Sequence, residues 1–388
     1  MKELLENINE KFGTPAYVYF EEEIEKRINK MWNIFKDINL TPTFAVKANN
    51  NPNILKLLNK YDFGADIVTI GEYKAAELAG IPKEKIVWNG NGKSKEEIQF
   101  LNKKIKYVNI DSFEEMRFWQ ENNNEEIEFF LRVNPDINAK THPHISTGLK
   151  KNKFGIPIHM VEKVLKNFPD KRIKGLHFHI GSQITEIEPF VKTFEIAKQF
   201  SEKYNFRKIN IGGGWGINYV GKELDLDKYK KKVIPLLKRY DEVILELGRF
   251  IIAPAGILLL KVVQIKETEN KTFIVTNGGM NDLIRPALYN SYHEPVFLNP
   301  TENKKLADIV GPLCESGDKL VWDKILPIPE LNSLIYLKNS GAYGYSMSNN
   351  YNSALKPAEI LVTKNHETKL IRKRESYDDL YKNIIIDG

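Results

Sequence analysis

Cysteine is almost absent: the chain of 388 residues has one, Cys314. A single thiol cannot form an internal disulfide, which excludes the cross-linked scaffolds of small secreted proteins and fits a reducing compartment. Long apolar runs are also missing. The nearest, GILLLKVVQIK (256–266), is too short to span a bilayer and contains charge. The stretch MKELLENINEKFG is polar and acidic and lacks the apolar segment of a signal peptide. A soluble, cytoplasmic protein without membrane contact is therefore expected. Nor is the net charge gathered on one element; the tail RKRES (372–376) is, on composition, a solvated charge run. The net charge of +6 arises from lysines interleaved with acids, as in KSKEEIQF, whereas a nucleic-acid binder gathers its cations on one element. No internal repeat or low-complexity tract is present.

What the chain does have is a regular alternation. Hydrophobic residues make up 42% of it and charged residues 28%, enough apolar material for one large barrel plus a smaller unit. Short apolar runs suited to buried parallel strands occur at PTFAVKA (42–48), ADIVT (65–69), KIVWNG (85–90), KYVNI (106–110), IEFFLRVN (127–134), IKGLHFHIG (173–181), KINIGGG (208–214) and EVILEL (242–247). Amphipathic stretches separate them, some with helix-start signals such as Ser94 before Glu97 and Ser112 before Glu115. Eight such units predict a closed (β/α)8 TIM-type barrel over residues 22–254. After Arg249 the rhythm changes. Residues 255–275, 306–322, 333–339, 358–363 and 368–373 read as strands with no good helices between them. They predict a second, mainly β domain over 255–388, joined by residues 1–21 through AYVYF (16–20).

In such barrels the chemistry sits at the C-terminal ends of the strands, and here those ends are polar. Strand one ends at Lys47, strand two near Asp66, strand five at Arg132 and Asn134. Strand six supplies His177, His179 and Ser182, strand seven Gly212–Gly214, and strand eight Glu246, Gly248 and Arg249. Glycines after strands seven and eight can bring backbone N–H groups close to a phosphate, although a run of three also suits a plain tight turn. A lysine at a barrel mouth can lose its proton and form a Schiff base. It can equally pair with an acid such as Asp66. A phosphate cradle, a reactive lysine and an acid able to face a pyridinium nitrogen, here Glu246, are together what a pyridoxal phosphate enzyme requires. His179 could lie against the ring or be a satisfied core histidine. Cys314, in PLCESGD, reads on its own as a small hydrophobe in a loop. Arg285, in LIRPALY, offers a bidentate fork for a carboxylate.

The stretches FAVKANNN, VWNGNGKS, THPHISTGLKKNKFGI, GLHFHIGSQI, INIGGGWGINY, ELGR, GGMNDLIRPALY, DIVGPLCESGD and GAYGYSMSNNYNS resemble the barrel-type (fold type III) pyridoxal phosphate decarboxylases, and within them the diaminopimelate decarboxylases. The resemblance covers nearly the whole chain. It implies that Lys47 forms the Schiff base with pyridoxal phosphate, that His179 stacks on the ring, and that Glu246 pairs with the ring nitrogen. Ser182, Gly213, Gly214, Gly248 and Arg249 would lie at the phosphate. Arg249, Arg285, Tyr289 and Tyr343 would contact an amino acid substrate, Tyr343 the cofactor as well. Cys314 would be the proton donor, and Glu315 would bind the distal ammonium.

The family implies a homodimer with shared active sites, the CES segment coming from the partner subunit. The expected reaction is decarboxylation of meso-2,6-diaminopimelate to L-lysine, with no metal involved. Related decarboxylases acting on ornithine or carboxynorspermidine are the first alternative, against which THPHISTG and CES argue. An inactive regulatory homologue is the second, against which the presence of Lys47 and Cys314 argues.

Overall fold

The eight predicted barrel strands are all present and all parallel in the computed structural model, which describes residues 1–122, 124–138 and 153–386. The strands are Leu40–Ala45, Gly64–Ile67, Ile86–Trp88, Tyr107–Ile110, Glu128–Asn134, Ile173–His177, Lys208–Asn210 and Glu242–Leu247. Each pairs with the next, and the eighth returns to the first with Glu246 opposite Thr43, so the sheet closes. THPHISTG (141–148) lies outside the described residues.

The connecting helices start where the sequence places caps. The Ser94 hydroxyl accepts from the Glu97 N–H while Glu97 reaches back to the Ser94 N–H, a full capping box. Ser112 caps its helix in the same way, but Glu115 instead accepts from the Asp111 N–H and pairs with the buried Lys93 ammonium at 2.9 Å.

Side chains two apart along a strand share a face, and this builds the barrel interior in layers. At the N-terminal end Lys208 bridges Glu128 (2.6 Å) and Glu242 (2.9 Å). Above them Val87, Tyr107, Phe130 and Ile244 form an apolar cluster. The next inward positions, Asp66, Asn89, Asn109, Arg132, His177, Asn210 and Glu246, are polar and buried. The core therefore gives way to a polar layer at the C-terminal mouth.

The chain divides into two units, residues 27–250 and residues 1–26 with 251–388. The second unit is a mixed nine-stranded sheet. Its strand Ala16–Phe20 lies between Gly256–Glu267, antiparallel, and Ala358–Val362, parallel. Helix Lys2–Phe12 covers this region with Leu5 and Ile8, packed against Val18, Leu259 and Ile360.

Two stretches read from sequence as single strands are antiparallel pairs instead. Residues 255–275 form Gly256–Glu267 and Thr272–Thr276, and residues 306–322 fall into Lys304–Val310 and Lys319–Pro327. Glycine and proline punctuation breaks the latter run, at Gly311, Pro312 and Gly317. A short helix, Arg285–Tyr289, also sits where none was expected. No helix among the described residues is long and apolar enough to cross a membrane.

Candidate active site

Lys47 stands just past the first barrel strand, in the 3-10 turn Val46–Ala48. Its ammonium is 3.8 Å from Asp66 Oδ2, and its side chain is 43% exposed while that of Asp66 is 1% exposed. Both readings of this lysine are thus visible in one arrangement: it pairs with Asp66, yet it remains open to the barrel mouth.

Glu246 lies in the polar layer beneath the mouth. Its Oε1 accepts from the side-chain amides of Asn89 (2.8 Å), Asn109 (2.8 Å) and Asn210 (2.7 Å), and its Oε2 lies 3.3 Å from His177 Nε2. Burial pushes the Glu246 carboxyl up, but His177 and the Asn89 amide outweigh it, and the group is held below the usual carboxylate range. Burial also favours the neutral form of His177, lowering its pKa despite Glu246. A neutral imidazole brings no charge to the carboxylate, so the three amides carry the stabilisation that does not depend on it.

Asp66 moves the other way. Burial and then the Glu246 charge raise it to about 7, against Lys47 and the 2.6 Å bond from Asn89.

The sixth strand ends at His177, so His179 and Ser182 lie in the loop beyond it rather than on the strand. Nδ1 of His179 accepts from the Gly213 N–H at 3.2 Å, which places the imidazole proton on Nε2. Burial, then Lys47 and Arg132, push its pKa well down, so the ring is neutral.

The glycine loop follows the seventh strand. A Cβ on Gly213 would lie 2.0 Å from the Glu246 carbonyl oxygen, and one on Gly214, at φ +100°, 2.3 Å from that of Gly181. Only bare backbone fits there. Gly248 ends the eighth strand beside Ala45 and Ala48. The next residue, Arg249, donates to Ser182 Oγ (3.1 Å) and the Tyr219 hydroxyl (3.0 Å). Trp215, within the glycine loop, is a packing residue: it is buried, stacked on Phe35 and edge-on to Tyr229 and Phe250.

The remaining candidates lie in the other unit. Cys314 and Glu315 are exposed, in the loop between the strands Lys304–Val310 and Lys319–Pro327. Asp318 anchors that loop, accepting from the N–H groups of Leu313 (2.7 Å) and Met280 (2.6 Å). The Cys314 N–H donates to Asn352 Oδ1 at 2.9 Å, and the Asn349 N–H to the Asn281 carbonyl at 2.9 Å. Three sequence-distant segments are thereby laced together: GGMNDL, PLCESGD and SNNYNS.

Arg285 is buried, bonded to His293 Nε2 and Ser291 Oγ at 3.3 Å each. Tyr289 is half-buried on the same short helix, one turn on. Tyr343 is held at φ +57°, which a bulky residue rarely adopts.

Comparison with known proteins bears on this arrangement. Residues 21–253 match the pyridoxal-binding domain of the pyridoxal-dependent decarboxylases. Diaminopimelate decarboxylase of Aquifex aeolicus is 39% identical, with 96% of this chain and 92% of that protein covered. The Campylobacter jejuni enzyme of the same name is 38% identical, with 96% of each covered. The chain belongs to the diaminopimelate decarboxylases.

Among solved structures, the Helicobacter pylori diaminopimelate decarboxylase complexed with L-lysine superposes with a TM-score of 0.90. It is 36% identical over 97% of this chain and 98% of that one. The family is pyridoxal-dependent, and the barrel residues fit that cofactor. Lys47 offers an amine at the mouth, Glu246 a buried anion for a pyridine nitrogen, and Gly213 and Gly214 a bare-backbone cradle beside Ser182 and Arg249.

Asn89, Asn109 and Asn210 are the residues that the sequence reading passed over. Their signal was an asparagine in the same inward register of three apolar runs, within the strand for Asn109 and Asn210 and one residue past it for Asn89, where strand propensity disfavours it.

Proposed function

We propose that this chain decarboxylates meso-2,6-diaminopimelate to L-lysine and carbon dioxide, as a cytoplasmic homodimer with shared active sites. The observation that carries the reading is the presence, at one barrel mouth, of the Lys47 amine, the buried Glu246 anion and a glycine cradle. The substrate follows from the kinship with diaminopimelate decarboxylases and from the L-lysine complex of the Helicobacter pylori protein.

When bound, pyridoxal phosphate supplies an electron sink for the pair released as the carboxylate leaves. Lys47 would hold the cofactor through its amine. Glu246, ionised, holds the proton on the ring nitrogen. His179, neutral, would lie against the ring without adding positive charge. Ser182, Gly213, Gly214, Gly248 and Arg249 hold the phosphate. Arg249, Tyr289 and Tyr343 orient the reacting end of the substrate, Tyr343 touching the cofactor too. Arg285 and Glu315 grip the distal carboxylate and ammonium. Cys314 Sγ delivers a proton to the carbon that has lost carbon dioxide, acting with Glu315 in the site of the partner subunit.

Release of carbon dioxide and lysine from meso-diaminopimelate tests this, with ornithine and arginine as controls. Turnover of diaminopimelate alone is expected. Turnover of ornithine without diaminopimelate would overturn the substrate assignment.

A further inference from the structure

The bonding of the Glu246 carboxylate is one-sided. Three amide donors crowd Oε1 at 2.7–2.8 Å, whereas the recorded contact of Oε2 is His177 at 3.3 Å. An ionised carboxylate has about two lone-pair sites per oxygen, so Oε1 is saturated. The amides are themselves fixed. Asn109 Nδ2 donates to Asn89 Oδ1 at 2.8 Å, Asn210 Nδ2 to Asn109 Oδ1 at 3.3 Å, and Asn210 Oδ1 accepts from the Gly212 N–H at 2.9 Å.

The buried Lys93 ammonium donates to the Gly90 carbonyl (2.6 Å) and the Asn109 carbonyl (2.9 Å), tying together the segments that carry Asn89 and Asn109. Packing alone would favour apolar side chains at these three positions, since buried amides cost desolvation and strand propensity.

We propose that Asn89, Asn109 and Asn210 are positioning residues for the decarboxylation: they saturate Oε1, hold Glu246 as a fixed anion, and leave Oε2 to meet the ring nitrogen of pyridoxal phosphate. The inference rests on the reading of Glu246 as the partner of that nitrogen. Amides suit the task because they donate without titrating and add no positive charge to compete with a pyridinium. A lysine or arginine in their place would neutralise the anion. They also treat two carboxyls of one buried layer unequally. Asp66 receives a single amide bond, from Asn89, whereas Glu246 receives three, all on Oε1.

The test is nitrogen NMR of the holoenzyme loaded with pyridoxal phosphate labelled at the ring nitrogen, recorded from pH 6 to 9, alongside kinetics. Wild type is expected to keep the ring nitrogen protonated throughout. In Asn109→Leu the nitrogen should lose its proton within that range. The same variant should lower kcat about tenfold or more, the value of one hydrogen bond to a charged group, with KM little changed. Asn89→Ser and Asn210→Ser, which add no bulk, carry the same expectation should Asn109→Leu fail to fold.

Glu246→Gln is the control that separates the two ideas. If it leaves the ring nitrogen protonated, the reading of Glu246 is wrong and the triad falls with it. If it removes the proton while the asparagine variants keep the wild-type spectrum and kcat, the triad alone is overturned.

Discussion

Asp66→Asn probes the balance of charge at the barrel mouth most directly. The replacement is nearly isosteric, and its amide oxygen can still accept the 2.6 Å bond from Asn89. Wild-type Asp66 has its carboxyl raised from 3.8 to about 7, by burial first and the Glu246 charge second, with the attraction of Lys47 already opposing them. Between those two values the folded protein keeps a proton that the unfolded chain has released. Stability therefore falls as pH rises through the window and stays low above about 7.

The full penalty is about 4 kcal/mol, and roughly 2–3 kcal/mol of it accumulates between pH 5 and 8. Asparagine does not titrate, so the variant escapes this loss. Urea unfolding of the two cofactor-free proteins, at equal concentration and side by side, reads the difference, because every other titrating group is common to both. The advantage of Asp66→Asn should grow from pH 5 to about 7 and level off above that. An advantage that is flat or shrinks across this range refutes the argument.

The other predictions follow the roles proposed above. Borohydride treatment of the holoenzyme should attach the cofactor to the peptide containing Lys47; labelling of another lysine, or a colourless protein with excess cofactor, sinks that role. Lys47→Ala and Cys314→Ala should each be nearly inactive, yet random subunit exchange between them should restore about a quarter of wild-type activity in a two-fold dimer with shared sites. No recovery despite demonstrated exchange would return Cys314 to its own subunit's site or remove it from the site. Arg285→Ala should lower kcat/KM for diaminopimelate by about 30-fold or more, the value of a buried charged partner, while cofactor absorption survives. Undiminished turnover would contradict the distal grip.

The barrel was legible because its strands are buried on both faces and therefore appear as continuous apolar runs. Their ends were less legible. Residues 173–181 look like one strand, but pairing stops at His177, and the residues beyond form the loop carrying His179 and Ser182. The inward polar layer was hidden for a different reason. Asn89, Asn109 and Asn210 come from three separate strands, and only closure of the sheet brings their amides to one oxygen of Glu246. Asp318 was equally invisible, since it fixes the Cys314 loop by reaching Met280, 38 residues away. Asn277, which departs from the aspartate common in the family, has a local explanation. Its amide donates to the Thr14 carbonyl and hydroxyl, and its oxygen accepts from the Lys261 N–H.

The position of Ala16–Phe20 within the β-rich unit has a consequence for how the chain is made. This strand is synthesised well before its partners: the antiparallel one begins at Gly256, roughly 240 residues later, and the parallel one, at Ala358, follows later still. At about 5–20 residues per second, roughly 10–50 s pass before either edge can be paired. Throughout that interval AYVYF is an apolar strand with both edges open, the kind of segment that recruits the wrong neighbour. The barrel residues 27–250 are complete before either partner strand emerges. Holding chaperones that cover AYVYF during this interval should therefore raise the yield of native protein, which expression with and without them measures.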